Sequence, residues 1–289
     1  MTALMFGLDV STSAAPGADP VTYAQHAEEL GFDFVSANDH PEGRRPSFEL
    51  WTMLTWIAAR TSRVKVATRV LGVPYRAPAM TAKMAETLDR LSGGRLILGL
   101  GGGASDDELR AFGFDVPSPR EKVDGLEEAV RVIRGLWANS PFTYEGSLFH
   151  ADDATLEPKP AHEIPIWLGT FGPRALAATG RVADGWIPSL ELAPPEKAVV
   201  MRDRIFAAAR AEGRDPERIT CVYNFEVRVG EHDPRPHVVS GSPAEIAQRL
   251  TSFVALGFHA MNFQPIGPAP EEQAERLARE VIPEVRAAS

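Results

Sequence analysis

A chain of 289 residues that is 44% apolar can bury a large core, as one barrel or as two smaller domains. Its net charge of −9, without any long run of Lys or Arg, excludes a nucleic-acid surface, so an anionic ligand has to be caught by local groups. The single cysteine, Cys221, excludes an internal disulfide, the N-terminus has no charged region followed by an apolar one, and no apolar run approaches the roughly 20 residues of a membrane span; the chain is expected in the cytoplasm, away from membranes.

In chain order, a short β-rich run is followed by a helical pattern again and again. LMFGLDV leads to PVTYAQHAEELG, FDFVSAN to SFELWTMLTWIAART, VKVATRVL to APAMTAKMAETLDRLSGG, and RLILGLG to KVDGLEEAVRVIRGLWAN. In the second half IPIWLGT precedes GPRALAATGRVA, GWIPSL precedes PPEKAVVMRDRIFAAARAEGR, ITCVYNFEV precedes SPAEIAQRLTSFVALG, and HAMNFQP precedes PEEQAERLAREVIPEVRAA. Several helical runs close on Gly, as a C-cap does. Eight alternations in this length predict one (β/α)8 barrel over residues 1–289 rather than an open doubly wound sheet. Before the fifth strand, FTYEGSLFHADDATLEPKP reads as a β-hairpin with Glu145 and Gly146 near its turn.

Barrel active sites form where strands end at the C-terminal face. The second strand ends there on Asn38, Asp39 and His40, and the others bring Asp9, Ser11, Gly72, the glycines at 99 and 101–103, Thr170, Asn224, Glu226, Asn262 and Gln264 to the same level. Polar ends on most strands predict a polar pocket. A Schiff-base lysine is not expected, because Lys65 starts its strand and the other lysines lie on helices or loops. A metal is not expected either, since no strand carries His-x-His. GLGGGASDDE departs from a dinucleotide fingerprint at Ala104, but its glycines let a planar ligand approach the backbone. In LGTFGPRALA a strand runs into a helix whose first residue is Pro173, and free amides there can hold an anion.

FDFVSANDHP, RVLGVPYRAPAMTAKMAETLDRLSGGRLILGLGGG, PIWLGTFGPRALAATGRVADGWIP and SGSPAEIAQRLTSFVALGFHAMNFQP together resemble the luciferase-like monooxygenase superfamily over nearly the whole chain. Within it they resemble most the oxidoreductases that depend on the deazaflavin coenzyme F420. The resemblance implies hydride transfer between F420 and an organic substrate; the alternatives are an FMN-dependent monooxygenase and a non-catalytic deazaflavin- or flavin-binding protein. It implies that His40 faces the reacting ring as general acid or base and that Asp39 contacts the cofactor. Gly72 and Val73 match a bulge behind the deazaflavin, with a cis peptide expected between them. Gly102 and Asp107 match cofactor contacts after the fourth strand, and Thr170, Phe171, Gly172, Arg174 and Ala175 belong to the phosphate-binding set. Arg44, Arg45, Arg76 and Arg174 are the candidate cations for the anionic tail of F420. Where the glucose-6-phosphate enzymes of this branch place a catalytic Glu, Ala104 stands, so a sugar phosphate is not the expected substrate. Members commonly pair, and Trp51, Met53, Leu54, Trp56 and Ile57 give the second helix more apolar surface than one barrel-facing stripe requires, so a homodimer is expected.

Overall fold

The computed structural model describes residues 4–267 and 269–288. Its strands are β1 (Met5–Asp9), β2 (Phe34–Ala37), β3 (Lys65–Thr68), β4 (Leu71–Gly72), β5 (Leu96–Gly101), β6 (Phe142–Glu145), β7 (His150–Ala154), β8 (Ile166–Leu168), β9 (Gly185–Trp186), β10 (Thr220–Val229), β11 (Val239–Gly241) and β12 (Ala260–Pro265). Eight of them pair in parallel around a closed ring, β1–β2–β3–β5–β8–β9–β10–β12 and back to β1. This is the (β/α)8 barrel that the alternation predicts.

Side chains alternate along each strand, so every second residue points into the barrel. The lower interior is a plug of Phe34, Ala67, Ile97, Trp167, Val222 and Ala260. The Phe34 and Trp167 rings meet edge-on with centroids 5.6 Å apart. They dictate two glycines: a Cβ on Gly7 would lie 2.1 Å from the Phe34 ring, and one on Gly185 would lie 2.3 Å from Trp167.

Helices cover the outside. Pro20, Pro78, Pro119, Pro173, Pro195, Pro243 and Pro270 each open one, where a missing N–H costs no intrahelical bond. Gly93 ends the helix Pro78–Ser92 at a left-handed φ of 74°. The expected hairpin is β6 and β7, antiparallel, with Glu145 opposite His150. The Glu128 carboxylate accepts from the amides of Ser147, Leu148 and Phe149 and ties the hairpin tip to the helix Pro119–Ala138. Two elements go beyond the sequence reading. β11 is only three residues long and pairs in parallel beside the end of β10, and a six-residue helix, Asp106–Ala111, occupies part of the glycine-rich segment.

Candidate active site at the barrel mouth

Two residues above the apolar plug, the inward positions turn polar. Arg69 donates to Asp9 Oδ1 at 2.7 and 3.1 Å. The Ser36 hydroxyl donates to Asn262 Oδ1 at 2.9 Å, and Asn262 and Gln264 both donate to Asn224 Oδ1, at 2.9 and 2.7 Å. Burial pushes the Asp9 carboxyl up, against the pull of the Arg69 guanidinium. The polar strand ends thus form a bonded layer across the barrel. Above it a cavity of about 420 Å³ opens, with apolar walls from Val70, Tyr75, Phe171, Ile187 and Leu192 and polar groups from Asp39, His40, Glu108 and Asn224.

One wall is shaped by a bulge. After Thr68 the chain leaves β3, a non-prolyl cis peptide joins Arg69 to Val70, and β4 then runs beside the end of β5. Val70 lies across three glycines. A Cβ would come within 3.2 Å of its side chain on Gly99 or Gly169, and within 2.6 Å on Gly101. The cis bond therefore sits three residues before the expected one at Gly72–Val73, which instead leads into a 3-10 turn, Val73–Tyr75. The room for the bulge is made opposite Val70, whereas the Gly72 amide is already fixed by Asp39.

Asp39 is buried, and its Oδ2 accepts from the Gly72 amide at 2.9 Å and from Arg76 at 2.8 Å. Arg76 also donates to Glu49, whose carboxylate caps the helix Leu50–Arg60. Beside it His40 is half exposed, with Nδ1 2.9 Å from Glu108 Oε1. The Tyr75 hydroxyl donates to Glu108 Oε2 at 2.8 Å, and burial together with that carboxylate pushes its pKa up, so it remains a donor. Asp39, the Gly72 bulge, Tyr75, Glu108 and His40 form one connected set. His40 Nε2 has no hydrogen-bond partner among the described residues, and His40 lines the cavity.

Glu108 escapes a reading by motif. Ser105, three residues earlier, accepts from the Glu108 amide as an N-cap. A capping box would turn the Glu side chain back on that cap, as Glu121 and Glu245 do on theirs. Glu108 instead reaches His40 and Tyr75. The Ser-x-x-Glu spacing was the available signal for a helix start, and with it for a residue on the helix face turned to the mouth.

Of the other expected contacts, Gly102 and Phe171 line the cavity. A Cβ on Gly102 would lie 2.9 Å from the Lys122 carbonyl, so the position is sterically closed to a side chain. Val73 lines a neighbouring cavity. Asp107 points to solvent, 96% exposed and paired with Arg110, because one step around the short helix turns it away from Glu108. The Thr170 hydroxyl is buried against Thr179, 2.7 Å away. Gly172 is the N-cap of the helix Pro173–Val182 and no side chain caps that end, so the amides of Arg174 and Ala175 stay free of intrahelical partners. Two of the four candidate cations are committed elsewhere, Arg76 to Asp39 and Glu49, Arg174 to Asp124 at 2.6 Å. Arg44 and Arg45 are exposed. Among the described residues no His, Cys, Asp and Glu cluster is placed to hold a metal, and no helix is long and apolar enough to cross a membrane.

Residues 2–235 match the family model of the luciferase-like monooxygenases. An F420-dependent glucose-6-phosphate dehydrogenase of Kineococcus radiotolerans is 30% identical over 91% of this chain and 92% of its own length. A 5,10-methylenetetrahydromethanopterin reductase of Methanolobus tindarius is 32% identical over 75% of this chain and 63% of its own. Among solved structures, an F420-dependent secondary alcohol dehydrogenase in complex with an F420-acetone adduct superposes with a TM-score of 0.87 over 98% of this chain and 99% of that one, at 21% identity, a likeness of fold.

Proposed function

The chain belongs to the luciferase-like monooxygenase family, and on that premise we propose that it is an F420-dependent oxidoreductase acting on a small organic substrate at the barrel mouth. The observation that carries the reading is a cavity walled by Val70, which Gly99, Gly101 and Gly169 make room for, with the His40–Glu108 pair at its rim. The residues fit the cofactor. Val70, seated against Gly101 and Gly169, gives the cavity an apolar wall for a planar ring, and the uncapped amides of Arg174 and Ala175 suit a phosphate. When bound, the deazaflavin supplies the site that accepts or donates a hydride.

The protein handles the accompanying proton. With Nδ1 engaged by the Glu108 carboxylate, Nε2 is the ring nitrogen left for a substrate in the cavity that His40 lines. Nε2 takes the hydroxyl proton when a substrate is oxidised and returns it when a carbonyl is reduced. Tyr75 keeps Glu108 in place. Asp39 fixes the bulge from which Tyr75 projects. Asp39 thus serves the cofactor by holding the wall behind it. Anaerobic incubation of the protein with F420 and a panel of alcohols should bleach the visible band of the oxidised coenzyme. Inertness toward F420, with oxygen-dependent turnover of reduced FMN, would replace this reading with the monooxygenase.

The homodimer is likewise a proposal. The barrel's own core absorbs Trp51, Met53, Leu54 and Ile57, and Trp56, 60% exposed, is the apolar side chain of that helix left for a partner. Sedimentation should give about twice the 31.4 kDa chain mass. A Trp56→Glu variant should move toward the single-chain mass, and a wild-type protein already at that mass contradicts the pairing.

A further inference from the structure

A second cavity, of about 500 Å³, lies beside the mouth, and Gly102 belongs to the walls of both. Its lining is largely apolar, with Val73, Pro74, Phe114, Val116, Leu148 and Phe149. At Gly102 the two are separated by backbone that carries no side chain, since a Cβ there would lie 2.9 Å from the Lys122 carbonyl. Gly103, at a φ of 89°, continues the same backbone wall beside Pro74.

The charges in this cavity do not suit an anion. Its ionisable lining groups are Asp115, Glu121 and Lys122. The Lys122 ammonium lies 2.5 Å from the Asp106 carboxylate, and Glu121 closes a capping box with Ser118. Two carboxylates against one already paired lysine repel the phosphate-bearing tail of F420, and the uncapped amides behind Phe171 offer that tail a better place. Among the described residues that line the mouth, Arg69 is the arginine, and Asp9 holds it, so no spare guanidinium or ammonium is offered there to a phosphorylated substrate. Phe114 and Leu148, 40% and 37% exposed, leave apolar surface at the edge of the side cavity that a hydrocarbon group would cover.

We propose that this side cavity is the subsite for the apolar arm of the substrate, and that the substrate is an uncharged alcohol or carbonyl compound whose reacting carbon lies at the mouth and whose hydrocarbon arm extends past Gly102. The proposal rests on the reading of the mouth as a hydride-transfer site. In the oxidising direction the carbinol C–H bond breaks with its electron pair going with the hydrogen to F420, the O–H proton passes to His40 Nε2, and the C=O bond forms. Reduction reverses each transfer.

The test titrates the F420-loaded protein calorimetrically with straight-chain secondary alcohols, from isopropanol upward, and measures kcat/KM for the same series and for glucose 6-phosphate. Affinity and kcat/KM should rise about fourfold for each added methylene until the cavity is filled. Val116→Trp, which fills the cavity, should flatten that rise and leave isopropanol turnover and F420 binding unchanged. Leu148→Glu, at the partly exposed hairpin tip, should flatten it without touching the barrel core. A flat series in the wild type, a rise that survives both substitutions, or a preference for glucose 6-phosphate overturns the proposal. Failure of the wild-type protein to bind F420 would defeat the cofactor reading instead; the same alcohols titrated into the unloaded protein and into Val116→Trp would then decide the subsite, a flat series or a rise that survives the substitution overturning it.

Discussion

Replacing His40 with Asn is expected to lower turnover by about 10² to 10⁴ while F420 binding stays near its wild-type value. Asn can still donate to Glu108 Oε1, so the rim of the cavity keeps its shape. It has no nitrogen that titrates near neutrality, so the proton that accompanies the hydride loses its carrier. The His40 side chain is 52% exposed and contributes little to the core, so stability should hardly change. Glu108→Gln separates positioning from chemistry: the imidazole remains, its tautomer is no longer imposed, and turnover should fall by only about tenfold with a displaced pH profile. Full activity in His40→Asn would remove the imidazole from the mechanism. Loss of F420 binding in that variant would place His40 in the cofactor pocket and leave the proton without its carrier.

The second large effect is on stability. Asp39→Ala leaves the Gly72 amide without its acceptor and the Arg76 guanidinium, 16% exposed, with Glu49 alone. Removing one partner of a buried pair is expensive because the other charge stays desolvated, and a loss of roughly 3 kcal/mol is expected. Asp39→Asn keeps an acceptor for Gly72 and should cost less. Urea unfolding checks both. The same release should loosen the bulge that presents Val70 and Tyr75, so F420 should also bind more weakly to Asp39→Ala. Wild-type stability in that variant would mean that the wall behind the cofactor does not depend on Asp39.

Much of this architecture is legible in the residue order, and the reasons are specific. Each strand is followed by its own amphipathic helix, so FDFVSAN and SFELWTMLTWIAART announce a β/α unit without help from the rest of the chain. The polar ends Asp9, Asn224, Asn262 and Gln264 share a face because barrel strands alternate with period two, and the bonded layer they form follows from that. What stays hidden depends on rotation or on distant partners. Asp107 and Glu108 differ by one step around a six-residue helix, and which of them faces the mouth depends on where that helix starts. The bulge falls at Arg69–Val70 because Gly99 and Gly101 of β5 and Gly169, just past β8, make room there. Arg76 and Arg174 look free in sequence and are not, since Asp39, Glu49 and Asp124 reach them across 37, 27 and 50 positions.

The cavity beside Val70 and His40 is the proposed seat of F420. Purified protein titrated separately with F420 and with FMN, followed by fluorescence quenching, tests it most directly. F420 should saturate at micromolar concentration or below, roughly −8 kcal/mol or better, and bind more tightly than FMN. Tighter binding of FMN than of F420 would make this a flavin site and not a deazaflavin one.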